Sequence, residues 1–404
     1  MSFRNRALAA SRYAAAMRRL LNDISGPAIV AGFVAVLVGF TSSVAIVFQA
    51  AHALGASAAQ TSSWIWALGL GMGLTSLGLS LWYRQPVLTA WSTPGAALLA
   101  GVSGVSMPEA IGAFLVCAAL ITLAGATRWF ERVMDRIPLA VASALLAGVL
   151  ARFGLDAVVS VKSAPLLVLT MALAFLVGRR WWGRYAVPGV LGAGIAVAAL
   201  QGRLALGDVD WAWAQPVWTT PSFSLAALMG VALPLFLVTM ASQNLPGVAA
   251  QRASGYQIPV SPTITVTGLT SLLLAPFGAY ALNLAAITAA ICMGREAHAD
   301  PAKRYMASVM AGLLYIALGL AGGAIVGLLA AFPHELVAAV AGLALLGTIA
   351  SALATALKTE AHRDAAALTF LVTLSGISLA GIGSAFWGVV AGALALLVQH
   401  YRHR

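Results

Sequence analysis

Apolar runs close to twenty residues long, bounded by short clusters of Arg and Lys, recur from one end of the chain to the other. This pattern leaves a lipid bilayer as the natural solvent, because a spanning helix needs ~20 apolar residues, with ~17–25 tolerated. Of the 404 residues, 61% are hydrophobic and 9% charged, so a water-soluble fold of this composition would expose apolar surface that water disfavours. Full spans are expected near 27–50, 58–82, 109–127, 138–154, 164–178, 186–201, 222–244, 259–275, 305–331, 335–356, 365–382 and 384–400. Two further segments, from Pro86 and from Pro276, have proline or glycine early and a good helical run only in their second halves. Counting both gives fourteen segments of an all-α polytopic membrane protein.

The formal charge of +11 does not point to nucleic acid, because the basic residues lie between apolar runs and form no stripe or tail. They read as topology signals, since cytoplasmic loops carry the excess Lys and Arg. With Arg4, Arg6, Arg12, Arg18 and Arg19 inside, alternation over fourteen segments also places Arg84, Arg128, Arg132, Arg136, Arg179, Arg180, Arg184, Arg252, Arg295, Lys303, Arg304, Lys358, Arg363, Arg402 and Arg404 inside. Of the 23 basic residues only Arg152, Lys162 and Arg203 fall outside. Dropping either short segment would invert several loops. The first long apolar run begins near Pro27, too long for a signal-peptide core, and is expected to be retained. Cys117 and Cys292 lie in apolar stretches without CxxC or His-rich company, so no disulfide, metal site or cofactor is expected. No hydrolase triad, P-loop or nucleotide loop is present, and an enzyme is not expected.

Fourteen segments divide into seven and seven, and an odd number per half inverts the second half in the membrane. A shift of 190 places Pro86 on Pro276 and Thr93 on Asn283; a shift of 200 places Ser42 on Ser242. In the first broken segment Ser92, Thr93, Pro94 and Gly95 make a helix start, with Thr93 as the expected cap and Pro94 at the first helical position. In the second, Asn283 is the expected cap of LAAITAAICMG. Each segment reads as an extended arm followed by a half-helix whose N-terminus lies near the bilayer midplane, an arrangement that suits anions. Ordinary kinked helices filling space remain the alternative.

Gln243 and Asn244 of SQNLPG place amides in an apolar context and must have partners, either substrate or backbone freed by Pro246. Thr41, Ser42 and Ser43 are the first-half counterpart, and such hydroxyls also bond their own backbone. Trp91, Phe277, Tyr280 and Leu282 lie on the extended sides of the two half-helices, where an aromatic solute could stack while its charged end meets N–H groups. No Asp or Glu lies mid-span; Glu109, Glu296, Asp300 and Glu335 sit at segment ends. Small-residue runs such as GLGMGLTSLG and GLAGGAIVG read as close helix packing.

Three stretches, QPVLTAWSTPGAALLAG (85–101), SQNLPGVA (242–249) and NLAAITAAICMGREAHADPAKR (283–304), resemble signature segments of the benzoate:proton symporter (BenE) family, and the similarity runs along nearly the whole chain. That family is related to the uracil and xanthine permeases and the SulP anion carriers. The resemblance implies their uracil-permease-like fold, a 7+7 inverted repeat with segments 3 and 10 broken. It implies a cytoplasmic segment 1–26, a core domain at 27–137 and 222–331, and a gate domain at 138–221 and 332–404. It also implies proton-coupled import of benzoate or a similar aromatic carboxylate, substrate binding between segments 3 and 10, elevator motion of the core and a homodimer through the gate. The location implied is the bacterial inner membrane, with both termini cytoplasmic. The nucleobase permeases carry glutamates where this chain has Gln243, Asn244 and Asn283, and the benzoate family commonly has histidine where this chain has Tyr280. Glu296, His298 and Asp300 remain as proton-coupling candidates, with a solvated loop as the alternative. A nucleobase or inorganic-anion carrier of the same fold, or a passive anion channel, stays open.

Overall fold

The computed structural model describes residues 23–41, 43–102, 104–181, 186–204, 213–321, 331–377, 379 and 384–402. The helices are α1 Gly26–Thr41, α2 Val44–Ala53, α3 Ala58–Tyr83, α4 Thr93–Ala100, α5 Met107–Ala126, α6 Trp129–Met134, α7 Leu139–Val159, α8 Pro165–Trp181 and α9 Ala186–Leu200. They continue with α10 Leu225–Ala253, α11 Val260–Leu274, α12 Ile287–Met293, α13 Tyr305–Ala321, α14 His334–Ala356, α15 Arg363–Ser375 and α16 Ser384–Arg402. Among the described residues the sheet is one antiparallel pair, β1 Thr89–Ala90 and β2 Asn283–Leu284.

Six stretches are long and apolar enough to cross a bilayer: α3, α5, α7, α10, Val260–Phe277 and Pro301–Ala321. The two pieces of α14, bent by 40°, make a seventh if they count as one span. Against the expected fourteen crossings, length and composition of the described helices mark six or seven. The expected first span is divided, since α1 stops at Thr41 and α2 starts at Val44. Ser42, residues 1–22 and residues 322–330 of the expected 305–331 span lie outside the described residues.

The described parts of the small-residue runs pack closely, while residues 322–327 of GLAGGAIVG lie outside the described residues. A Cβ on Gly69 would lie 2.7 Å from the Gly319 Cα, and one on Gly73 would lie 2.7 Å from the Gly312 carbonyl, so α3 and α13 touch backbone to backbone. In the same way α5 packs on α11 through Gly125 and Gly268. α7 packs on α14, where Gly342 meets Ala157 and Phe153.

Between these pairs, two extended arms cross the interior and meet in the β1–β2 ladder, with Thr89 opposite Leu284 and Ala90 opposite Asn283. Extended backbone in an apolar interior has no water to bond, so neighbouring helices must supply partners. α3 does this with a row of hydroxyls. Ser80 Oγ bridges the N–H and carbonyl of Val87, Ser76 Oγ accepts from Thr89 N at 3.0 Å, and the Thr89 hydroxyl lies 2.6 Å from Thr75 and donates to the Met72 carbonyl. On the second arm Ser271 Oγ accepts from Leu282 N and Asn244 Oδ1 from Leu284 N, both at 3.0 Å. Ala285 N donates across to the Leu88 carbonyl.

α10 contains two π-helical turns, Leu228–Ala232 and Met240–Asn244. Each ends two residues before a proline, Pro234 or Pro246. A proline ring has no N–H to donate and crowds the carbonyl four residues back. The helix answers by widening, with Leu233 N bonded to Leu228 O and Leu245 N to Met240 O.

Candidate functional site

A cavity of about 310 Å³ lies where α1, α3, β1, α4, α7, α10, α12 and α13 converge. Its volume falls within the roughly 300–1,000 Å³ of small-molecule sites. Trp91, Phe153 and Met72 form much of the apolar wall, and Ser43, Thr93, Gln243, Thr288 and Tyr315 supply the polar side chains. None of the described lining residues is charged.

Each element brings its residue for a local reason. The wide turn before Pro246 presents Gln243 to the cavity and Asn244 away from it, where Asn244 donates to Met240 Sδ and holds Leu284. Gln243 is half-buried and its amide makes no hydrogen bond to a described residue. The break between α1 and α2 leaves Ser43 donating to the Gly39 carbonyl at 2.8 Å while accepting from Trp91 Nε1 at 3.0 Å. Trp91 also meets Phe40 edge-on, with ring centroids 5.7 Å apart.

The half-helix starts differ from expectation. Ser92, not Thr93, caps α4: its Oγ accepts from Gly95 N at 3.1 Å and from the Thr239 hydroxyl at 2.9 Å. Thr93 is the first helical residue and is thereby left to line the cavity. Asn283 does not cap α12, because it belongs to β2 and is paired with Ala90. α12 begins at Ile287, and Ala286 before it has no side chain to offer as a cap. The two strands start at Thr89 and Asn283 and the two half-helices at Thr93 and Ile287, the same separation of 194 (283 − 89, 287 − 93). At that separation Ser92 aligns with Ala286, whereas a shift of 190 aligns it with Leu282. First-turn N–H groups have no intrahelical acceptor. In α12 no side chain covers them, and Ala286, Ile287 and Thr288 all line the cavity.

Of the other expected site residues, Thr41 ends α1, and Phe277 packs on Trp66 and Trp218 away from the cavity. Tyr280 is fully buried against Trp64 and Phe114, each ring centroid 5.7 Å away, and its hydroxyl has no partner among the described residues. Leu282 fills the space beside Gly71. Asn283 turns its Nδ2 to the carbonyl of Ala281 at 3.0 Å. Ala281 holds a left-handed φ of 42°, unusual for a residue with a side chain, and the Asn283 amide braces that bend.

Glu296, His298 and Asp300 are in the loop between α12 and α13, and none lines the cavity. His298 Nδ1 accepts from Asp300 N, and Asp300 Oδ1 accepts from Ala302 N, both at 2.9 Å. Glu296 is half-buried, and its carboxylate abuts α14 at Gly347, where a Cβ would lie 3.2 Å from Oε1. Sequence reasoning missed Gly39, Met72, Phe153, Thr288 and Tyr315. A tyrosine in the middle of an otherwise apolar run was the available signal for Tyr315.

The family model described as benzoate membrane transport protein matches residues 22–398. The chain belongs to the BenE family. It is 51% identical over 379 residues to the inner membrane protein YdcO of Escherichia coli K12, covering 94% of this chain and 97% of that one. It is 40% identical over 383 residues to the benzoate membrane transport protein of Acinetobacter baylyi, covering 95% and 97%. Among solved structures it is similar in fold to SLC26A9, with a TM-score of 0.52 and 13% identity, over 93% of this chain and 65% of that one. BenE membership and the apolar helices make this chain a multi-pass membrane transporter.

Proposed function

We propose that this transporter imports benzoate or a similar aromatic carboxylate across the bacterial inner membrane by proton symport. The observation that carries the reading is the make-up of the cavity: a flat apolar wall at Trp91 and Phe153, uncapped N–H groups at the α12 start, an open Gln243 amide, and no charged lining residue. A ring can lie against the wall while its carboxylate faces neutral donors. Donors without full charge suit a carrier, which must release what it binds. The names of the two relatives, an inner membrane protein and a benzoate membrane transport protein, agree with an inner-membrane benzoate carrier.

The broader architecture belongs to the same proposal: fourteen segments in a 7+7 inverted repeat, a core domain at 27–137 and 222–331, a gate domain at 138–221 and 332–404, both termini cytoplasmic, and a homodimer through the gate. The common separation of 194 in the two broken segments supports the repeat, as does the reciprocal packing of α3 on α13 and α5 on α11. An elevator motion is supported by the lining itself. Phe153 comes from the gate, whereas the other lining residues come from the core, so sliding the core would carry the cavity past Phe153. Gln243, Thr93 and Trp91 are the proposed substrate contacts, with Ser43 holding Trp91 in place and Glu296, His298 and Asp300 as candidates for coupling. Competition against labelled benzoate uptake into proteoliposomes tests the substrate class: unlabelled benzoate should compete well, and benzamide, uracil and sulfate poorly. Equal competition by benzamide would remove the anion argument, and absence of counterflow would favour a channel.

A further inference from the structure

Of the four hydroxyls that line the cavity, Ser43 is bonded to protein, whereas Thr93, Thr288 and Tyr315 make no side-chain hydrogen bond to a described residue. Ser43, Ser92, Thr89 and Thr239 each bond a protein group. Tyr280 is unpartnered but sealed between Trp64 and Phe114, outside the cavity lining. Among the three open lining hydroxyls Tyr315 is the most deeply buried, at 2% against 6% for Thr288 and a half-buried Thr93, and it is the one phenol. It sits on α13 with 2% exposure and lines the cavity, yet its hydroxyl makes no hydrogen bond to any described residue. Its oxygen lies 3.1 Å from the point that a Cβ on Gly39 would occupy, and Thr288 Cγ2 lies 3.0 Å from the same point. The bare α1 backbone at Gly39 is what lets the phenol and Thr288 stand side by side.

A hydroxyl buried in an apolar helix is costly unless it finds a partner, and phenylalanine would fill the same space without that cost. The partner is therefore to be sought in the cavity. We infer that Tyr315 is a specificity-determining residue whose hydroxyl donates to an oxygen of the substrate carboxylate, with Gly39 kept bare to admit it. This rests on the aromatic-carboxylate reading above. A phenol is a neutral donor, in keeping with a cavity that has no charged lining residue, and its bond to a carboxylate is of the stronger, charge-assisted kind.

The test is benzoate uptake into proteoliposomes by the wild type, Tyr315→Phe, Gly39→Ala and the double variant, at matched yield and thermal stability. Losing a donor to a charged acceptor should raise the half-saturating concentration about tenfold or more in Tyr315→Phe, with the maximal rate little changed. A methyl group at residue 39 would press on the hydroxyl, so Gly39→Ala should also raise it. In the double variant the methyl takes the space that the hydroxyl leaves, and half-saturation should match Tyr315→Phe alone. Unchanged half-saturation in an active Tyr315→Phe, or fully additive effects in the double variant, overturns the inference while leaving the substrate reading intact. No benzoate uptake by the wild type overturns both. If Tyr315→Phe is recovered in too little folded form, Gly39→Ala decides, and unchanged half-saturation there overturns the inference.

Discussion

The indole Nε1 of Trp91 donates to the Ser43 hydroxyl at 3.0 Å, and Ser43 in turn donates to the Gly39 carbonyl one helical turn back. This relay ties the lead-in to α4 to the broken end of α1, two elements separated by 48 residues. Ser43 is thus satisfied by protein and acts on the cavity through Trp91. Ser43→Ala frees the indole, and a single hydrogen bond is worth ~0.5–1.5 kcal/mol. Half-saturation for benzoate should rise a few-fold with expression and maximal rate preserved. Concentration-dependent uptake measures this, and an unchanged curve would mean that packing against Phe40 alone holds Trp91.

Asn283 gives a second outcome. Asn283→Asp replaces the Nδ2 donor by a carboxylate facing the Ala281 carbonyl in a fully buried position, whereas Asn283→Ser replaces it by a shorter hydroxyl donor that adds no charge. An unpaired buried polar group costs ~1–3 kcal/mol, and a charged one more. Thermal unfolding in detergent should place wild type above Ser and Ser above Asp, with Asp partly recovering at low pH, where its protonated carboxyl can donate again. Equal stability of the two variants would show that the bend at Ala281 needs no brace.

The placement of that residue shows where local sequence reasoning stops. Proline and glycine early in two apolar segments were enough to locate both broken helices. The helix start after the second arm was not legible, because Asn283 is drawn into a ladder with Ala90, a partner far away in the chain. Gln243 and Trp91, both of which line the cavity, were singled out from chemistry alone, an amide in an apolar context at the expected cytoplasmic end of a span and an indole expected near the midplane. Tyr315 and Phe153 were missed because a lone aromatic in an apolar helix carries no periodic signal separating cavity wall from packing. The π turns of α10 had a sign in Pro234 and Pro246, but only the fold reveals that the second one aims Gln243 inward.

Thr89 should matter for stability more than for transport selectivity. Its hydroxyl meets Thr75, Ser76 and the Met72 carbonyl, and Thr89→Val keeps the shape while breaking all three contacts. A loss of ~1–3 kcal/mol is expected from the groups left unpaired. Thr170→Val, on the exposed face of α8, is the control and should change little. If both variants unfold at the same temperature, the hydroxyl row on α3 is not what holds the first arm.

Gln243 tests the sign of charge in the cavity. Gln243→Glu sets a carboxylate against an anionic substrate in a poorly hydrated space, where repulsion is stronger than in water. Benzoate binding should weaken by more than tenfold at neutral pH and recover as the medium is acidified. Gln243→Leu should lose less. Titration of benzoate into purified variants reads this directly, and equal losses in the two would place Gln243 away from the carboxylate.

The central claim is that an aromatic carboxylate moves together with a proton, and concentrative uptake across an imposed pH gradient tests it most directly. Proteoliposomes containing the wild-type protein, acidic outside, should accumulate labelled benzoate much faster than protein-free liposomes, which report passive entry of the neutral acid. Addition of an uncoupler should collapse the accumulation with sodium still present. Accumulation that persists without the pH gradient, or uptake no greater than in protein-free liposomes, would contradict the account.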